Sequence, residues 1–359
     1  MRILFTGGGT GGHIFPIIAI KESFPNGYDF RYLGPDGFAK NNLGDIKSKF
    51  ILAGKLNRYF SLSFPIEFIK TLIGIIQSFL QLFLWIPDVI FSKGGYGSFP
   101  VLFVARLYRI PVIIHDSDAV PGLVTKKSAK FAKKIILSFE TSKKYFKAKQ
   151  QSKIIVIGNP IRKELLDGNK DEAKKAFKIN STKPIILIMG SSQGAQKINE
   201  IIINILPRLL EISEIIHMTG EKNFKETEKE TQKSPDYHLF PFLNPDELKC
   251  AYALADLIIN RAGAGSIFEI AALGKPSILI PLPNSAQNHQ KENAYEFSKI
   301  SGAIVLEQEN LTPNILLEQI LNLLSNPQKM SEMSQKAKLF YNPATADLIR
   351  DEILKFNKD

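Results

Sequence analysis

Residues Gly7-Gly8-Gly9-Thr10-Gly11-Gly12-His13 lie between an apolar run, Ile3-Leu4-Phe5, and Ile14 to Glu22, which reads as a helix. Strand, glycine turn and helix in succession form the entry of a βα unit. Such an entry points backbone N–H groups and the positive end of a helix dipole at an anion. Glycine removes the side chains that would block that approach and tolerates positive φ. His13, one of five histidines, is the titratable group of the turn. The same run would also serve as a tight βα turn with a surface histidine, because glycine loops are common.

The pattern then recurs. Phe30–Leu33, Lys49–Leu52, Asp88–Phe91, Pro111–His115, Lys134–Ser138 and Lys153–Ile157 are short, apolar and β-branched, which suits a parallel sheet covered on both faces. Gly158-Asn159-Pro160-Ile161-Arg162 closes this half with an Asn-Pro turn. The second half repeats the plan, with strands expected at Pro184–Met189, Glu214–Met218, Tyr237–Phe240, Asp256–Asn260, Pro276–Ile280 and Ala303–Leu306. A second glycine turn, Gly190 to Ala195, precedes a helix from Lys197 to Leu210. The fold class is therefore α/β, two doubly wound parallel-sheet halves facing across a cleft, with ligands expected at the C-terminal ends of strands.

Charge is unevenly divided. Residues 1–161 carry 22 Lys and Arg against 9 Asp and Glu, whereas 162–359 carry 24 against 26, so the net +11 comes from the first half. Lys126 to Lys149 holds nine lysines and one acid, Glu140. Such a surface attracts anionic lipid or nucleic acid, or is a solvated lysine-rich face. The basic residues lack the interleaved aromatics of a nucleic-acid groove, so no nucleic-acid partner is expected. Thr71 to Ile86 is uncharged, short of the roughly 20 residues needed to span a bilayer. It reads first as a buried sheet-covering helix; an apolar edge left exposed beside the lysines would instead dock shallowly on anionic lipid. Cys250 is the only cysteine, which excludes an internal disulfide and a cysteine-built metal cage. The start of the chain has no secretory-signal pattern, and a cytoplasmic setting is expected.

Four further loops carry polar chemistry. Gly94-Gly95-Tyr96-Gly97-Ser98-Phe99-Pro100 is a glycine turn after a strand. Arg261-Ala262-Gly263-Ala264-Gly265 enters a helix reaching Glu269, a carboxylate placed to accept from a diol, or else a solvated helix acid. Asn288 to Asn293 concentrates amides, which read sugar hydroxyls as paired donors and acceptors, or else forms a polar loop. Asp116-Ser117-Asp118 admits three readings: a DxD metal site under a diphosphate, a base or hydroxyl-orienting carboxylate, and a helix N-cap. The second is favoured.

Taken in order, Gly7–His13 with Pro16, Gly94–Pro100, Gly158–Arg162, Gly190–Ala195, Arg261 through Glu269, and His289-Gln290 with Asn293 resemble the MurG family over nearly the whole chain. Members add N-acetylglucosamine to undecaprenyl-pyrophosphoryl-MurNAc-pentapeptide. The resemblance implies a GT-B fold of two Rossmann-like domains: residues 1–161 for the lipid acceptor and membrane, 162–340 for the UDP-sugar, and 341–359 as a C-terminal helix packing back on the first. It implies an inverting, β-1,4-forming transferase, peripheral at the cytoplasmic face of the bacterial inner membrane. Its partners would be UDP-GlcNAc, the lipid-linked acceptor and anionic lipid, with no cofactor or metal expected in the site. Carried onto this chain, Thr10, Gly11 and Gly12 would line the donor sugar and diphosphate, with Asp118 at a donor-contacting position and Arg162 and Ser192 on nucleotide and phosphate. Leu243 would offer its backbone to uracil, and Ala264, Gly265, Ser266, Ile267, Phe268 and Glu269 would hold phosphate and ribose. Gln290 and Asn293 would meet the GlcNAc hydroxyls. Gly94, Gly95, Tyr96 and Ser98 would face the acceptor, while His13 is the candidate base and Asp116 its competitor or orienting partner.

The chain departs from the family at two places. Ser191 replaces a customary glycine, and Asp116-Ser117-Asp118 stands where Glu-Gln-Asn is common, so Asp118 brings a charge where a donor-contacting amide is expected. Other readings are a UDP-sugar transferase with a different glycolipid or exopolysaccharide acceptor, a UDP-GlcNAc 2-epimerase, and a non-enzymatic nucleotide-sugar or nucleic-acid binding module.

Overall fold

In a computed structural model, residues 1–55, 64–190, 196–231 and 233–357 are described. The chain forms two compact units, Met1–Arg162 with Pro343–Asp359, and Lys163–Asn342.

The first unit is built on seven parallel strands: β1 (Arg2–Thr6), β2 (Asp29–Gly34), β3 (Lys47–Phe50), β4 (Val89–Ser92), β5 (Val112–Asp116), β6 (Lys134–Leu137) and β7 (Ile154–Val156). Their order is β3-β2-β1-β4-β5-β6-β7, so the direction of winding reverses between β1 and β4. Both faces are covered. Ile3, Phe5, Val89, Phe91 and Ile113 pack on one side, while Leu4, Ile90, Val112 and Ile114 pack on the other. Period-2 alternation between two apolar layers is what makes these strands read as continuous hydrophobic runs. β3 starts and ends two residues before the expected Lys49–Leu52, because its register is set by pairing Arg31–Gly34 with Lys47–Phe50.

The glycine turn after β1 leads into helix α1 (Gly11–Glu22), which contains Pro16. The C-terminal helix Thr345–Leu354 seals this unit. Its Ile349 and Ile353 enter the apolar layer with Ile3 and Phe5. Arg350 Nη1 donates to the Ser23 carbonyl at 2.8 Å, and Lys134 pairs with Glu352 at 3.4 Å.

Helix α2 (Phe64–Leu84) overturns the buried-helix expectation. Only Thr71, Gly74, Ser78 and Leu82 are buried, whereas Ile66, Phe68, Ile76, Leu80 and Phe83 are exposed. The small and polar stripe faces the domain and the apolar stripe faces out. Close backbone approach is the cause. A Cβ on Gly74 would fall 1.9 Å from the Leu52 carbonyl oxygen, and one on Gly54 would fall 1.8 Å from that of Glu67. Gln77 Oε1 accepts the Leu52 N–H at 2.8 Å, so a polar side chain closes the same seam. By length and composition α2 is apolar enough to cross a membrane, yet its buried positions recur along its length and tie it to the domain surface. Helix α3 (Phe99–Leu107) extends the apolar exposure with Phe103 and Leu107.

The second unit has six parallel strands: β8 (Ile185–Met189), β9 (Glu214–Met218), β10 (Tyr237–Phe240), β11 (Leu257–Asn260), β12 (Ser277–Leu279) and β13 (Ile304–Val305). The order β10-β9-β8-β11-β12-β13 reverses between β8 and β11. Ile185, Leu187 and Met189 face one apolar layer, and Ile186 and Ile188 face the other. Each unit is thus a doubly wound sheet with one switch point.

The seating of α2 makes a direct prediction. Gly74→Ala should destabilise the protein by about 1–3 kcal/mol through overpacking, despite alanine's better helix propensity. It should lower the urea midpoint without changing the slope. An unchanged or raised midpoint would show that α2 is not seated on Leu52.

Candidate active site

In the first unit the switch point brings the turn after β1 beside the turn after β4. His13 is clasped there between glycines. A Cβ on Gly8 would lie 2.9 Å from the ring Nδ1, and one on Gly95 would lie 3.0 Å from Nε2. Gly95 also has φ of +77°, a region that other residues enter at a cost. Thr10 Oγ1 is 2.9 Å from Nδ1, which leaves Nε2 as the reactive nitrogen when Nδ1 carries the proton. Burial, with repulsion from Lys93, lowers the His13 pKa to about 4, against a smaller opposing pull from Asp118. The imidazole is therefore neutral near pH 7 and has a lone pair to use.

Beneath it lies a network that joins three strand ends. Lys93, directly after β4, is 3% exposed. Its Nζ is 2.5 Å from His115 Nδ1 and 3.1 Å from Asn159 Oδ1, and it bonds Ser117 Oγ. His115 Nε2 is 2.9 Å from the Gly158 carbonyl, to which it can only donate. Ser117 Oγ donates to Asn159 Oδ1 at 2.8 Å. Burial and Lys93 hold the His115 pKa well below the usual value.

Asp116 ends β5 and is 6% exposed. Its Oδ1 accepts the Asp118 N–H at 3.2 Å, its Oδ2 accepts the Gly122 N–H at 3.0 Å, and the Thr125 side chain bonds it as well. Burial, then repulsion from Asp118, raises its pKa to about 6. A carboxylate so fully engaged shapes the loop. Among the described residues, no three His, Cys, Asp or Glu side chains cluster so as to hold a metal.

The remaining expected residues of this unit are distributed as follows. Thr10 and Gly12 are exposed, and Gly11 is half-buried at the head of α1. Gly94 is buried at φ +72°, and its N–H donates to Ser92 Oγ at 3.1 Å. Ser98 is buried and donates to the Gly95 carbonyl at 2.9 Å, so it holds the turn. Tyr96 is half-buried with Lys55 5.4 Å over its ring. Arg162, 5% exposed, stacks its guanidinium 3.9 Å over Phe15 of α1.

The second unit presents a different surface at its switch point. Ser191 and Ser192, with the rest of 191–195, lie outside the described residues. Helix Ala264–Leu273 starts at Gly263 without a side-chain cap. A Cβ on Gly263 or Gly265 would meet nothing within 4 Å, so open space lies over the helix entry. Ile267 and Phe268 point into the core at 0% and 1% exposure, and Ala264 is buried, so their backbones are what they offer. Gly265 and Ser266 are half-buried. Glu269 Oε2 accepts from the Tyr252 hydroxyl at 2.8 Å. Leu243 is 1% exposed and likewise has backbone alone to present.

Two residues expected to read a sugar each give one amide atom to the protein itself. Asn293, fully buried, donates Nδ2 to the Ala262 carbonyl at 3.2 Å, and Gln290 Oε1 accepts the Leu282 N–H at 3.0 Å. They brace the loops after β11 and β12. Asn284, Gln287 and Asn288 all have positive φ in that second loop, a concentration of strain typical of functional turns. Arg261 ties the two loops together. Its Nη1 donates to Ile280 O at 3.1 Å, and its Nη2 donates to Gln308 Oε1 at 2.7 Å. Burial lowers its pKa to about 10.

Sequence reasoning missed Lys93, Asn159 and Tyr252 as members of these networks. Lys93 gives no signal of its own, since a lysine before Gly-Gly reads as a surface residue. Asn159 lay within a turn motif that accounted for it.

Two doubly wound units, each with one switch point, form a frame that binds ligands at the C-terminal ends of its strands. The glycosyltransferase family 28 N-terminal domain matches residues 3–137, and the family 28 C-terminal domain matches residues 185–349. The chain belongs to glycosyltransferase family 28, and within it to the MurG family. The chain is 39% identical over 352 residues to the UDP-N-acetylglucosamine–N-acetylmuramyl-(pentapeptide) pyrophosphoryl-undecaprenol N-acetylglucosamine transferase of Legionella pneumophila (strain Paris), spanning 97% of this chain and 94% of that one. The transferase of the same name from Halothermothrix orenii is 36% identical over 356 residues, 96% and 95% of the two chains. Acinetobacter baumannii MurG superposes with a TM-score of 0.75 at 28% identity, covering 99% of each chain. A UDP-GlcNAc 2-epimerase from Neisseria meningitidis, bound to UDP-GlcNAc, has a TM-score of 0.71 at 16% identity and shares the fold.

Burial of the histidines predicts the acid response of the folded protein. His13 titrates near 4 and His217, fully buried, near 3, whereas unfolded histidine titrates near 6.5. Between these values the unfolded chain binds more protons, so stability falls as pH drops below 6.5. Asp116 works the other way, because its folded pKa near 6 exceeds the unfolded value of 3.8. The histidines outnumber it, and calorimetry should record a Tm falling from pH 6.5 to 4. A flat or rising Tm would contradict the burial of these rings.

Proposed function

We propose that the chain transfers N-acetylglucosamine from UDP-GlcNAc to the C4 hydroxyl of MurNAc in undecaprenyl-pyrophosphoryl-MurNAc-pentapeptide, inverting the anomeric centre. The observation that carries this reading is the neutral His13, locked in a glycine slot at the first switch point, in a chain of the MurG family. Inversion requires a base for the acceptor hydroxyl and a positive cradle for departing UDP. His13 Nε2 takes the hydroxyl proton as the oxygen attacks the anomeric carbon, and the sugar–phosphate bond breaks with its electron pair passing to UDP. Proton transfer of this kind is worth about 10²–10⁴ in rate. Asp116, bound by two backbone N–H groups and Thr125, is assigned to organising the loop.

The donor is assigned to the second unit. The uncapped entry of helix Ala264–Leu273, open over Gly263 and Gly265, suits a diphosphate. Glu269 suits the ribose hydroxyls with Tyr252 fixing one of its oxygens, and Leu243 suits uracil through its backbone. Arg162 adds positive charge, and Thr10, Gly11 and Gly12 keep the head of α1 clear for the donor sugar. Asn293 and Gln290 act on GlcNAc through the loops they brace. Gly94, Gly95, Tyr96 and Ser98 form the acceptor turn.

The first unit is assigned to the cytoplasmic face of the inner membrane as a peripheral protein. The outward stripe of α2, continued by Phe103 and Leu107, sets many large apolar side chains side by side on the surface, as interaction sites do. Arg106 of α3, between the exposed Phe103 and Leu107, lies 5.7 Å over Phe131 of the lysine-rich run. An exposed apolar stripe in a unit that carries the basic excess suits shallow docking on anionic lipid.

Two measurements test these assignments. His13→Ala should lower kcat by about 10²-fold or more while leaving the Kd for UDP-GlcNAc within about threefold; wild-type turnover would remove His13 from the mechanism. Binding to phosphatidylglycerol vesicles should weaken with added salt and fall sharply in Ile76→Glu/Leu80→Glu. Salt-independent binding that this double variant leaves intact would place the lipid contact elsewhere.

A further inference from the structure

Lys93 touches no surface at which a substrate could react, yet it carries a charge into the centre of the first site. Its protonation state follows from its neighbours. His115 Nε2 donates to a carbonyl, so Nδ1 has the lone pair. Ser117 Oγ gives its proton to Asn159, so it can only accept from Lys93. Asn159 Oδ1 is a carbonyl oxygen. Three acceptors surround Nζ, and only an ammonium has three N–H groups to satisfy them.

These direct partners are all neutral, and a buried ammonium without compensating charge is strongly disfavoured. The compensation comes from Asp116 and Asp118, whose attraction opposes the cost of burying Lys93. The two acids flank Ser117, which Lys93 bonds, and Asp116 closes the loop by accepting the N–H groups of Asp118 and Gly122. Lys93 thus sits under the middle of an acidic triplet.

We propose that Lys93 is a positioning residue whose buried ammonium is the resident counter-cation of the Asp116-Ser117-Asp118 loop. It fixes the loop's shape through Ser117 and offsets the two carboxylates, so that the loop tolerates an anionic donor. The donor clause rests on the transferase reading above; the charge pairing does not.

The test uses Lys93→Met, Asp118→Asn and the double variant in the full chain. Melting needs no substrate. Lys93→Met should lower Tm by about 5–10 °C, and Asp118→Asn in that background should recover about half of the loss. Asp118→Asn alone should lower Tm instead. A hub that acted only through hydrogen bonds would gain nothing from removing a charge at residue 118, so equal shifts in both backgrounds would overturn the proposal. In transfer assays Lys93→Met should raise the KM for UDP-GlcNAc about tenfold, and the double variant should reverse most of that rise. An unreversed rise would also overturn it. If the wild type transfers no GlcNAc, the transferase reading fails and the melts decide alone.

Should Lys93→Met not fold, Asp118→Asn alone answers the question. Burial already lowers the Lys93 pKa to about 7, and removing Asp118 should lower it further. The charged and titratable groups around it are His13, His115, Asp116 and Asp118. The alkaline limb of kcat/KM should therefore move to lower pH in Asp118→Asn, and an unmoved limb would contradict the pairing.

Discussion

One ammonium group ties the ends of three strands together. Lys93 extends from β4, His115 and Ser117 from β5 and the loop after it, and Asn159 from the turn after β7. Parallel strands reach the same edge of a sheet but leave it with independent loops. Something buried and directional must set those loops against one another, and apolar packing has no direction. Three hydrogen bonds from a tetrahedral donor supply it. The loop holding Asp116 and the turn holding Gly95 inherit their positions from that centre, and His13 inherits its slot from Gly95.

The second unit meets the same problem with a different cation. Arg261, at the end of β11, reaches the carbonyl of Ile280 and the side chain of Gln308, joining loops that follow β11, β12 and β13. Asn293 adds a bond to Ala262. In both units the polar atoms that look available to a ligand in sequence are partly consumed in building the frame. What remains for a diphosphate is backbone: the open entry of helix Ala264–Leu273 and the head of α1. That division suits recognition of a diphosphate, which backbone N–H groups meet well.

Most of the sheet architecture was legible in the sequence, because β-branched runs of four to six residues between helical segments have few other homes. The register of β3 was less so, since an edge strand is fixed by its one neighbour. The orientation of α2 was not legible. Its stripe of Thr71, Gly74, Ser78 and Leu82 looks like the outer face of a buried helix, and only the approach of Leu52 and Gly54 turns it inward. Lys93 was hidden for a similar reason. Its acceptors stand 22, 24 and 66 residues away, and no local pattern brings them together. Asn293 and Gln290 were found, but for their chemistry rather than their position. Amides bind backbone as readily as sugars, and each of these gives one amide atom to the backbone.

The acceptor distinguishes this transfer from its alternatives. Labelled UDP-GlcNAc should be offered with a short-chain analogue of the lipid-linked MurNAc-pentapeptide, with diacylglycerol, and with no acceptor, and the anomeric configuration of any product determined. A β-linked disaccharide should form with the first acceptor alone. Consumption of UDP-GlcNAc without an acceptor, transfer to diacylglycerol, or an α-linked product would contradict it.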